Sequence, residues 1–484
     1  MDCRILRHLT LKADGHLGCD DSIGYGTNLG HVSLSPGWRL RDVLNGPIYA
    51  HVRSAFKVGK VPWPGVCESC DLFSSGAQPV DTLDTRIELL VEPTLACNLS
   101  CACCVRKQII SKGRSTSSLD PAILGRLIDS CQSENIIVDQ VHYIGWGEPL
   151  MHGDFRALFE IVKKGTPQAI QMVTSAGNVD FCSTVGDAEL DRLIVSCDGA
   201  SQESYGRYRR GGDFETVVKF MRDCRKHGSP AIFLEWKYIL FEFNDSDDEI
   251  FRAQEIADDI GVDSLLFIIT NSKWHSKRFT VENSSNVPIR SLVASVSPAA
   301  AMNAIAVECT SFDFPGGREK AFGFIDKCTL SVGKFLTIEG WVFDKDGNYA
   351  EHLELIIDGK VRAKARSHLR RIDVTSAHPG TAGAKCGFMF RVPVASNSLP
   401  KSIVVEVYGS TGLSILGGGT SWMASDSSIK RRLDLPFVQF DNEISREMNK
   451  NLVDHTGDKR IAKKLAAGIG LIAKSKIIRI ARQR

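Results

Sequence analysis

This 484-residue sequence lacks the features that would mark a membrane protein, an exported protein or a nucleic-acid-binding protein. It has no run of about 18 consecutive apolar residues, so it predicts no transmembrane helix. Its first residues lack the apolar core and small-residue cleavage site of a signal peptide. Its net charge of only +2 provides no general basic surface. We therefore expect a cytoplasmic protein that does not bind nucleic acid.

Positive charge is concentrated at the carboxyl end of the chain. Residues 459–484 contain nine Lys or Arg and no acid, and subtracting these nine charges from +2 leaves −7 for residues 1–458. Four apolar residues recur there at helical spacing: Ile461, Leu465, Ile469 and Ile472. Three interpretations stay open. The segment is a basic helix that contacts an anionic membrane surface peripherally, at the inner face of the membrane, or it is a solvated end or an intramolecular helix. The third interpretation, nucleic-acid binding by this segment, has no aromatic residues to support it.

Cysteine is unusually frequent, with 15 in the chain. Eight lie in the first 104 residues: Cys3, Cys19, Cys67, Cys70, Cys97, Cys101, Cys103 and Cys104. A reducing cytosol disfavours disulfides, so the clustering predicts ligation of a metal or an iron–sulfur cluster. The remaining cysteines are isolated along the sequence, and we expect most of them to be small buried hydrophobic residues.

From about residue 85, apolar strands alternate with amphipathic helices. Residues 86–93 are typical of a strand, and residues 155–165 of a helix. Six such alternations predict a parallel sheet with right-handed crossovers. The region has about 185 residues, too few for an eight-fold barrel, which needs about 250. We therefore predict an α/β fold whose residues 79–280 form a partial (β/α)6 TIM-like barrel.

The regions around the barrel have different patterns. Residues 1–78 contain four of the clustered cysteines and predict a small iron–sulfur module. Residues 281–326 are irregular and predict a linker. Short alternating strands in residues 327–425, with a hairpin signal at Asp358-Gly359, predict an antiparallel β-sandwich. Residues 426–484 predict a basic, partly helical tail.

Cys97, Cys101 and Cys104 have C-x3-C-x2-C spacing and directly follow the first barrel strand. This places them at the carboxyl end of the strands, where barrel enzymes have their active sites. Three thiolates could hold three irons of a [4Fe–4S] cube and leave one iron open, or they could bind zinc. One β/α unit later, "GWGEP" (145–149) ends the second strand at the same edge.

With these motifs in this order, residues 85–270 resemble the radical S-adenosylmethionine (radical SAM) superfamily. The resemblance implies that the three cysteines hold a [4Fe–4S] cluster whose open iron binds the methionine moiety of S-adenosylmethionine (SAM). The stretch that would contact the amino group of SAM comprises Gly145, Trp146, Gly147, Glu148 and Pro149. Two positions depart from the family pattern. Trp146 replaces a glycine, and Cys103 replaces an aromatic residue near the adenine.

Later strands carry further matches to the family. "VTSAGN" (173–178) resembles its Ser-Thr-Asn-Gly segment, and "SCDGASQESYGRYRRGGDF" (196–214) resembles its Ser-x-Asp-Gly segment with the continuation. The resemblance implies five more cofactor contacts, at Thr174, Ser175, Ser196, Asp198 and Arg209. A helix cap or a local hydrogen bond is the alternative interpretation for each of them.

The N-terminal cysteines resemble the auxiliary-cluster module called SPASM, although that module normally follows the barrel. The resemblance implies that Cys3, Cys19, Cys67 and Cys70 hold a second [4Fe–4S] cluster, since four thiolates complete one cube. A zinc ribbon is the alternative.

The predicted function is that of a radical SAM enzyme with two [4Fe–4S] clusters and SAM as cofactors. The reduced cluster would cleave SAM to methionine and a 5′-deoxyadenosyl radical, which abstracts hydrogen from a substrate. An electron donor such as flavodoxin or ferredoxin is the expected partner.

Two substrate classes compete. The auxiliary module suggests a peptide. The basic tail and a loose likeness of residues 327–425 to β modules of bacterial glycosyltransferases suggest a glycan or glycolipid precursor. We favour the glycan class slightly, because no peptide-recognition domain is visible in the sequence. The rival hypothesis is a non-catalytic zinc protein whose β-sandwich binds glycan.

Overall fold

A computed structural model of the chain divides it into two compact units, Met1–Ser421 and Trp422–Arg484. All residues that the structure describes belong to the first unit, so the predicted tail lies outside them. The described residues are 2–3, 8–19, 29–63, 73–74, 86–111, 114, 118–270, 272, 274–280, 283–298, 304–306, 320–331, 335–344, 346–369, 371, 374–375, 378, 381, 383, 385–393, 403–409 and 412–416.

The described residues form strands and helices with the following bounds. The strands are β1 (Asp2–Cys3), β2 (His8–Leu11), β3 (His16–Gly18), β4 (Gly30–His31), β5 (Phe73–Ser74), β6 (Arg86–Val91), β7 (Ile137–Tyr143), β8 (Ile170–Ser175), β9 (Arg192–Ser196), β10 (Phe233–Leu240), β11 (Ser264–Ile269), β12 (Ala294–Pro298), β13 (Ala304–Ala306), β14 (Lys320–Ser331), β15 (Phe335–Phe343), β16 (His352–Ile357), β17 (Lys360–Ala365), β18 (Gly387–Pro393), β19 (Ile403–Gly409) and β20 (Gly412–Leu416). The helices are α1 (Leu40–Leu44), α2 (Pro47–Lys57), α3 (Arg106–Ser111), α4 (Pro121–Ser133), α5 (Phe155–Gly165), α6 (Phe181–Thr184), α7 (Gln202–Tyr208), α8 (Phe214–His227) and α9 (Asp247–Ile260).

The central sheet has ten strands in the order β12-β11-β10-β9-β8-β7-β6-β2-β3-β4. The six strands predicted from the alternating pattern, β6 to β11, are neighbours in chain order and pair in parallel. This confirms an α/β fold with a large, mostly parallel sheet. Helix α5 begins at Phe155, where the sequence predicts it, and the Asp154 side chain caps it by accepting the Ala157 N–H. In the same way the Asp120 side chain accepts the Ala122 N–H at the start of α4, where Pro121 is the first residue.

Two further parallel strands extend this sheet beyond the six. Strand β2 pairs in parallel with β6, so the N-terminal segment contributes to the barrel sheet as well as to the predicted iron–sulfur module. Strand β12, inside the interval predicted to be a linker, pairs in parallel with β11. Strand β2 is short and its partner lies far along the chain. Strand β12 is also short, and no helical pattern precedes it. Local sequence patterns therefore reveal neither strand.

The carboxyl-terminal part of the described structure is a sheet ordered β17-β16-β19-β20-β14-β15-β18. Its neighbouring strands are antiparallel except β14 and β20. Asp358 and Gly359 connect β16 to β17 with φ angles of 50° and 75°, as a tight hairpin requires. An antiparallel sheet is therefore present, and its arrangement as a sandwich stays a prediction.

This carboxyl-terminal region contacts the amino-terminal ends of the barrel strands. The His368 ring stacks on Phe233, the first residue of β10, with ring centroids 4.0 Å apart. Arg366 donates to the Pro230 carbonyl at 3.1 Å, and Lys385 pairs with Asp191 just before β9. These contacts of the described residues lie at the edge of the barrel sheet opposite its carboxyl-terminal edge. None of the helices built from described residues is long and apolar enough to cross a bilayer.

Candidate active site

A cavity of about 440 Å³ lies at the carboxyl-terminal edge of the barrel sheet. Its walls come from the loops after β6 and β7, from the ends of β8 and β9, from β10, and from the segment that ends α7. The sequence-predicted residues that line it are Cys97, Cys101, Cys104, Gly145, Trp146, Gly147, Glu148, Thr174, Ser175, Ser196 and Arg209. Residues separated by more than 100 positions in the sequence are therefore brought to one site.

Each of the three motif cysteines has a hydrogen-bond donor at its sulfur. The Leu99 N–H donates to Cys97 Sγ and the Arg106 N–H to Cys104 Sγ, both at 3.4 Å. The Arg209 guanidinium donates to Cys101 Sγ at 3.8 Å. Donors directed at sulfur stabilise thiolates and are among the features that set the potential of an iron–sulfur cluster.

Burial raises the pKa of the Cys97 thiol and of the Cys101 thiol. The Leu99 amide and the Arg106 charge oppose this at Cys97, and the Arg209 charge opposes it at Cys101. Because metals bind the thiolate, ligation there would release protons. A partly buried loop with a donor at each of the three motif sulfurs fits an iron–sulfur cluster held by these three residues.

Among the described residues, no three His, Cys, Asp or Glu side chains converge closely enough to hold one metal ion. In an iron–sulfur cube each thiolate binds a different iron atom, so a cube does not require such convergence.

The glycines of "GWGEP" allow this loop to pack against the cysteine loop. A Cβ on Gly147 would lie 2.1 Å from the Thr94 carbonyl oxygen, and one on Gly145 would lie 2.4 Å from Glu92 Cγ. The Glu148 N–H also donates to the Ala96 carbonyl at 2.8 Å, one residue before Cys97. The two motifs are thus a single packed unit.

Glu148 joins the ends of two neighbouring strands. Its carboxylate accepts the Leu150 N–H at 3.2 Å and the Ala176 N–H, just after β8, at 2.8 Å. Burial raises the pKa of this carboxyl group in spite of these donors. Since its oxygens are used within the protein, the side chain of Glu148 serves to hold the cavity wall.

The remaining predicted contacts divide into two groups. Ser196 and Arg209 line the cavity, whereas Pro149 and Asp198 do not. Asp198 is fully buried and pairs with Arg209. Thr174 shares a 2.8 Å hydrogen bond with His142. Burial and the charges of Arg192 and Lys237 lower the pKa of His142 to about 3. Thr174 is therefore fixed by a neutral imidazole.

Several residues of the cavity escaped prediction from the sequence. Arg106, Tyr208 and Lys237 line the cavity. Glu92 supports the cavity wall by accepting the Trp146 N–H at 3.4 Å, and it forms an ion pair with Arg114. The sequence contains one signal that could have revealed Lys237, namely a lysine within the apolar strand "FLEWKYIL". Its position predicts a charge on the face of the strand opposite the helices.

The auxiliary set is only partly described. Cys19 is partly exposed and follows β3. Cys67 and Cys70 lie outside the described residues, and Cys3 is described only in its backbone, where it pairs with Phe73. The second cluster therefore stays a prediction.

Solved structures with a similar chain path include Streptococcus suis SuiB bound to S-adenosylmethionine. The match has 13% identity and a TM-score of 0.34, covering 61% of this chain and 72% of SuiB. A structure of TYW1 with a lysine-pyruvate adduct matches with 16% identity and a TM-score of 0.28, covering 36% of this chain and 61% of TYW1. TM-scores this low carry no information on activity.

Curated relatives match a shorter stretch. A probable GTP 3',8-cyclase of Methanococcus maripaludis is 29% identical over 127 residues, which is 26% of this chain and 41% of the cyclase. The mycofactocin maturase MftC of Mycolicibacterium smegmatis is 28% identical over 156 residues, which is 30% of this chain and 36% of the maturase. The chain thus spans about two fifths of the curated relatives it matches.

Residues 91–255 match the Radical SAM superfamily. This range contains the three motif cysteines, the "GWGEP" loop and the segment that supplies Ser196 and Arg209. The chain carries a radical SAM domain, and the motif-bearing part of its sequence belongs to that superfamily.

Proposed function

We propose that this protein is a radical SAM enzyme that uses a [4Fe–4S] cluster at Cys97, Cys101 and Cys104. The observation that carries the proposal is the packing of the cysteine loop and the "GWGEP" loop into one wall of a single cavity. When bound and reduced, the cluster supplies the electron that cleaves SAM to methionine and a 5′-deoxyadenosyl radical, which takes a hydrogen atom from the substrate.

The residues of the chain bind, orient and shield. The Leu99 and Arg106 amides and the Arg209 guanidinium stabilise the thiolates. Gly145 and Gly147 line the cavity, where their backbone carbonyls would be available to accept hydrogen bonds from an amine such as that of SAM. Ser196 and Lys237, neighbours in the pairing of β9 and β10, provide a hydroxyl donor and a cation on the facing wall. These walls would limit the access of water to a reactive radical.

The experiment that tests this function is anaerobic reconstitution followed by reduction with dithionite in the presence of SAM. We expect a brown protein that produces 5′-deoxyadenosine, identified by mass spectrometry, only when dithionite and SAM are both present. A colourless protein that retains zinc after anaerobic preparation, and yields no 5′-deoxyadenosine, would contradict the proposal.

We also propose that Cys3, Cys19, Cys67 and Cys70 hold a second [4Fe–4S] cluster, which would bring the total to about eight irons per chain. The pairing of β1 with β5 supports this, because it places the backbone of Cys3 beside a strand that begins three residues after Cys70. A second cluster would take or deliver an electron, or would bind the substrate.

The double variant Cys67→Ala/Cys70→Ala tests the role of this second cluster. We expect it to lose about four irons. It should still cleave SAM, because the cavity cluster has its own three ligands on another loop. Turnover of the true substrate should fall severely. Circular dichroism serves as the control, since loss of a cluster can unfold a small metal module. A folded variant with normal substrate turnover would reduce the four cysteines to a structural role.

The substrate is either a peptide or a glycan or glycolipid precursor. No described residue of the carboxyl-terminal sheet lines the cavity, so that sheet supports the glycan class only as a separate binding region. An electron donor such as flavodoxin or ferredoxin and a peripheral contact of the basic tail with an anionic membrane complete the proposal. Deuterium transfer from labelled candidate substrates into 5′-deoxyadenosine would identify the C–H bond that is attacked.

A further inference from the structure

Arg209 lies between a buried carboxylate and one of the motif cysteines. Its Nε donates to Asp198 Oδ2 at 2.7 Å, and its Nη1 donates to Cys101 Sγ at 3.8 Å. The Arg209 side chain is 15% exposed and that of Asp198 is 0% exposed. The Arg209 end of a buried ion pair therefore lines the cavity beside Cys101.

Asp198 has a fixed orientation and makes no contact with the cavity. Its second carboxylate oxygen accepts the Ile239 N–H from β10 at 2.8 Å. The Asn244 side chain donates to its backbone carbonyl at 3.1 Å. Asp198 does not line the cavity, so it contacts no group bound there, and its ion pair orients Arg209.

The backbone places Arg209 opposite Cys101. The Ser100 N–H donates to the Arg210 carbonyl and the Ala102 N–H donates to the Tyr208 carbonyl, both at 2.9 Å. These two bonds flank the pair formed by Cys101 and Arg209. The backbone segments that carry Cys101 and Arg209 are thus hydrogen-bonded to each other on both sides of this pair. The approach of the guanidinium to the sulfur therefore does not depend on a flexible side chain alone.

The charge at this position matters because Cys101 is partly buried and the Arg209 side chain is only 15% exposed, so solvent screens the interaction between them weakly. A fixed cation next to a cluster ligand favours the more negative state of the cluster, and net charge and hydrogen bonds to sulfur are known determinants of cluster potential.

We propose that Arg209, oriented by Asp198, is a positioning residue that raises the reduction potential of the cluster ligated by Cys97, Cys101 and Cys104. The proposal rests on the function proposed above. Its redox step is the transfer of one electron from dithionite to the cluster, which passes from [4Fe–4S]2+ to [4Fe–4S]+ with no change in its ligands.

The test is an electron paramagnetic resonance titration of the SAM-free reconstituted protein, with Cys67→Ala/Cys70→Ala as the background so that one cluster is observed. We expect Arg209→Gln to lower the ratio of reduced to oxidised cluster about tenfold at a given potential, which is a shift of about 59 mV for a one-electron couple. Arg209→Lys should fall between wild type and Arg209→Gln. The lysine ammonium keeps the charge, but it lacks the planar set of N–H groups with which the guanidinium donates to Asp198 and Cys101 at once.

Arg210→Gln is the matched control. Arg210 is the next residue, carries the same charge and lines the same cavity, but its side chain is exposed. Solvent screens exposed charges, so we expect the ratio to change less than twofold.

An Arg209→Gln cluster that titrates like wild type, or an equal shift in Arg210→Gln, would overturn the proposal. An unshifted potential with weakened SAM binding, measured by equilibrium dialysis, would assign Arg209 to the cofactor and would also overturn it. If Arg209→Gln does not assemble a cluster, the titration of Arg209→Lys tests the proposal instead. A drop of threefold or more in its ratio of reduced to oxidised cluster supports the proposal, and an unchanged ratio rejects it. Failure of the proposed function is distinguishable, because wild type itself would then lack the cluster signal.

Discussion

Alanine at Cys97, Cys101 and Cys104 is expected to remove about four irons per chain and to reduce 5′-deoxyadenosine formation to the level of a protein-free reaction. The three sulfurs line one cavity, and each of them accepts a hydrogen bond from a nearby N–H group. No other described cysteine lines that cavity except Cys103. Cys103 could supply only one thiolate where the cluster needs three, so the variant cannot rebuild the ligand set.

Iron analysis and a SAM-cleavage assay check this expectation. Cys182→Ala is the control for general effects of removing a thiol, because Cys182 is exposed and lies outside the cavity. Cys103→Ala tests whether the C-x3-C-x2-C spacing selects the cluster ligands. Cys103 lines the cavity but is not part of the C-x3-C-x2-C pattern, so this variant should keep its irons. A triple variant that still produced 5′-deoxyadenosine would mean that SAM is bound at other cysteines.

The second large effect is expected for Gly147→Ala. The added Cβ would lie 2.1 Å from the Thr94 carbonyl oxygen, 2.7 Å from the Ala96 carbonyl oxygen and 2.8 Å from Leu95 Cα. All three are backbone atoms of the segment that leads into Cys97, so they cannot rotate away as a side chain would. Relieving the clash must displace either the cysteine loop or the "GWGEP" loop. We expect SAM cleavage to fall by about 100-fold or more, since small displacements at a reacting centre have effects of this size.

Gly153→Ala provides the matched control, because a Cβ at Gly153 meets nothing within 4 Å. Overpacking in a core costs about 1–3 kcal/mol, so circular dichroism and thermal unfolding should show Gly147→Ala still folded. Iron content then distinguishes the two displacements. Loss of iron indicates movement of the cysteine loop, and retained iron with weak SAM binding indicates movement of the "GWGEP" loop. Full SAM cleavage by Gly147→Ala would show that the two loops do not need this contact.

The sequence by itself determined the elements of the barrel and the motifs that end its strands. Helix α5 has the bounds 155–165 that its spacing predicts, because the apolar period, the Asp154 cap and the final glycine are all local signals. The cysteine triplet and "GWGEP" were identifiable for the same reason, since each is a short contiguous motif. Their placement at one edge follows from parallel strands in chain order.

Only the tertiary structure decided which distant residues complete the site. The pairing of β2 with β6, the two backbone bonds that clasp Arg209 against Cys101, and the contact of the carboxyl-terminal sheet with the amino-terminal ends of the strands all join segments far apart in the chain. A local pattern reports the period of one segment but not its partner, because the partner is set by the burial of surfaces that only the folded chain brings together. For this reason the sequence named Cys101 and Arg209 separately, and only the fold showed that the Arg209 guanidinium lies beside the Cys101 sulfur.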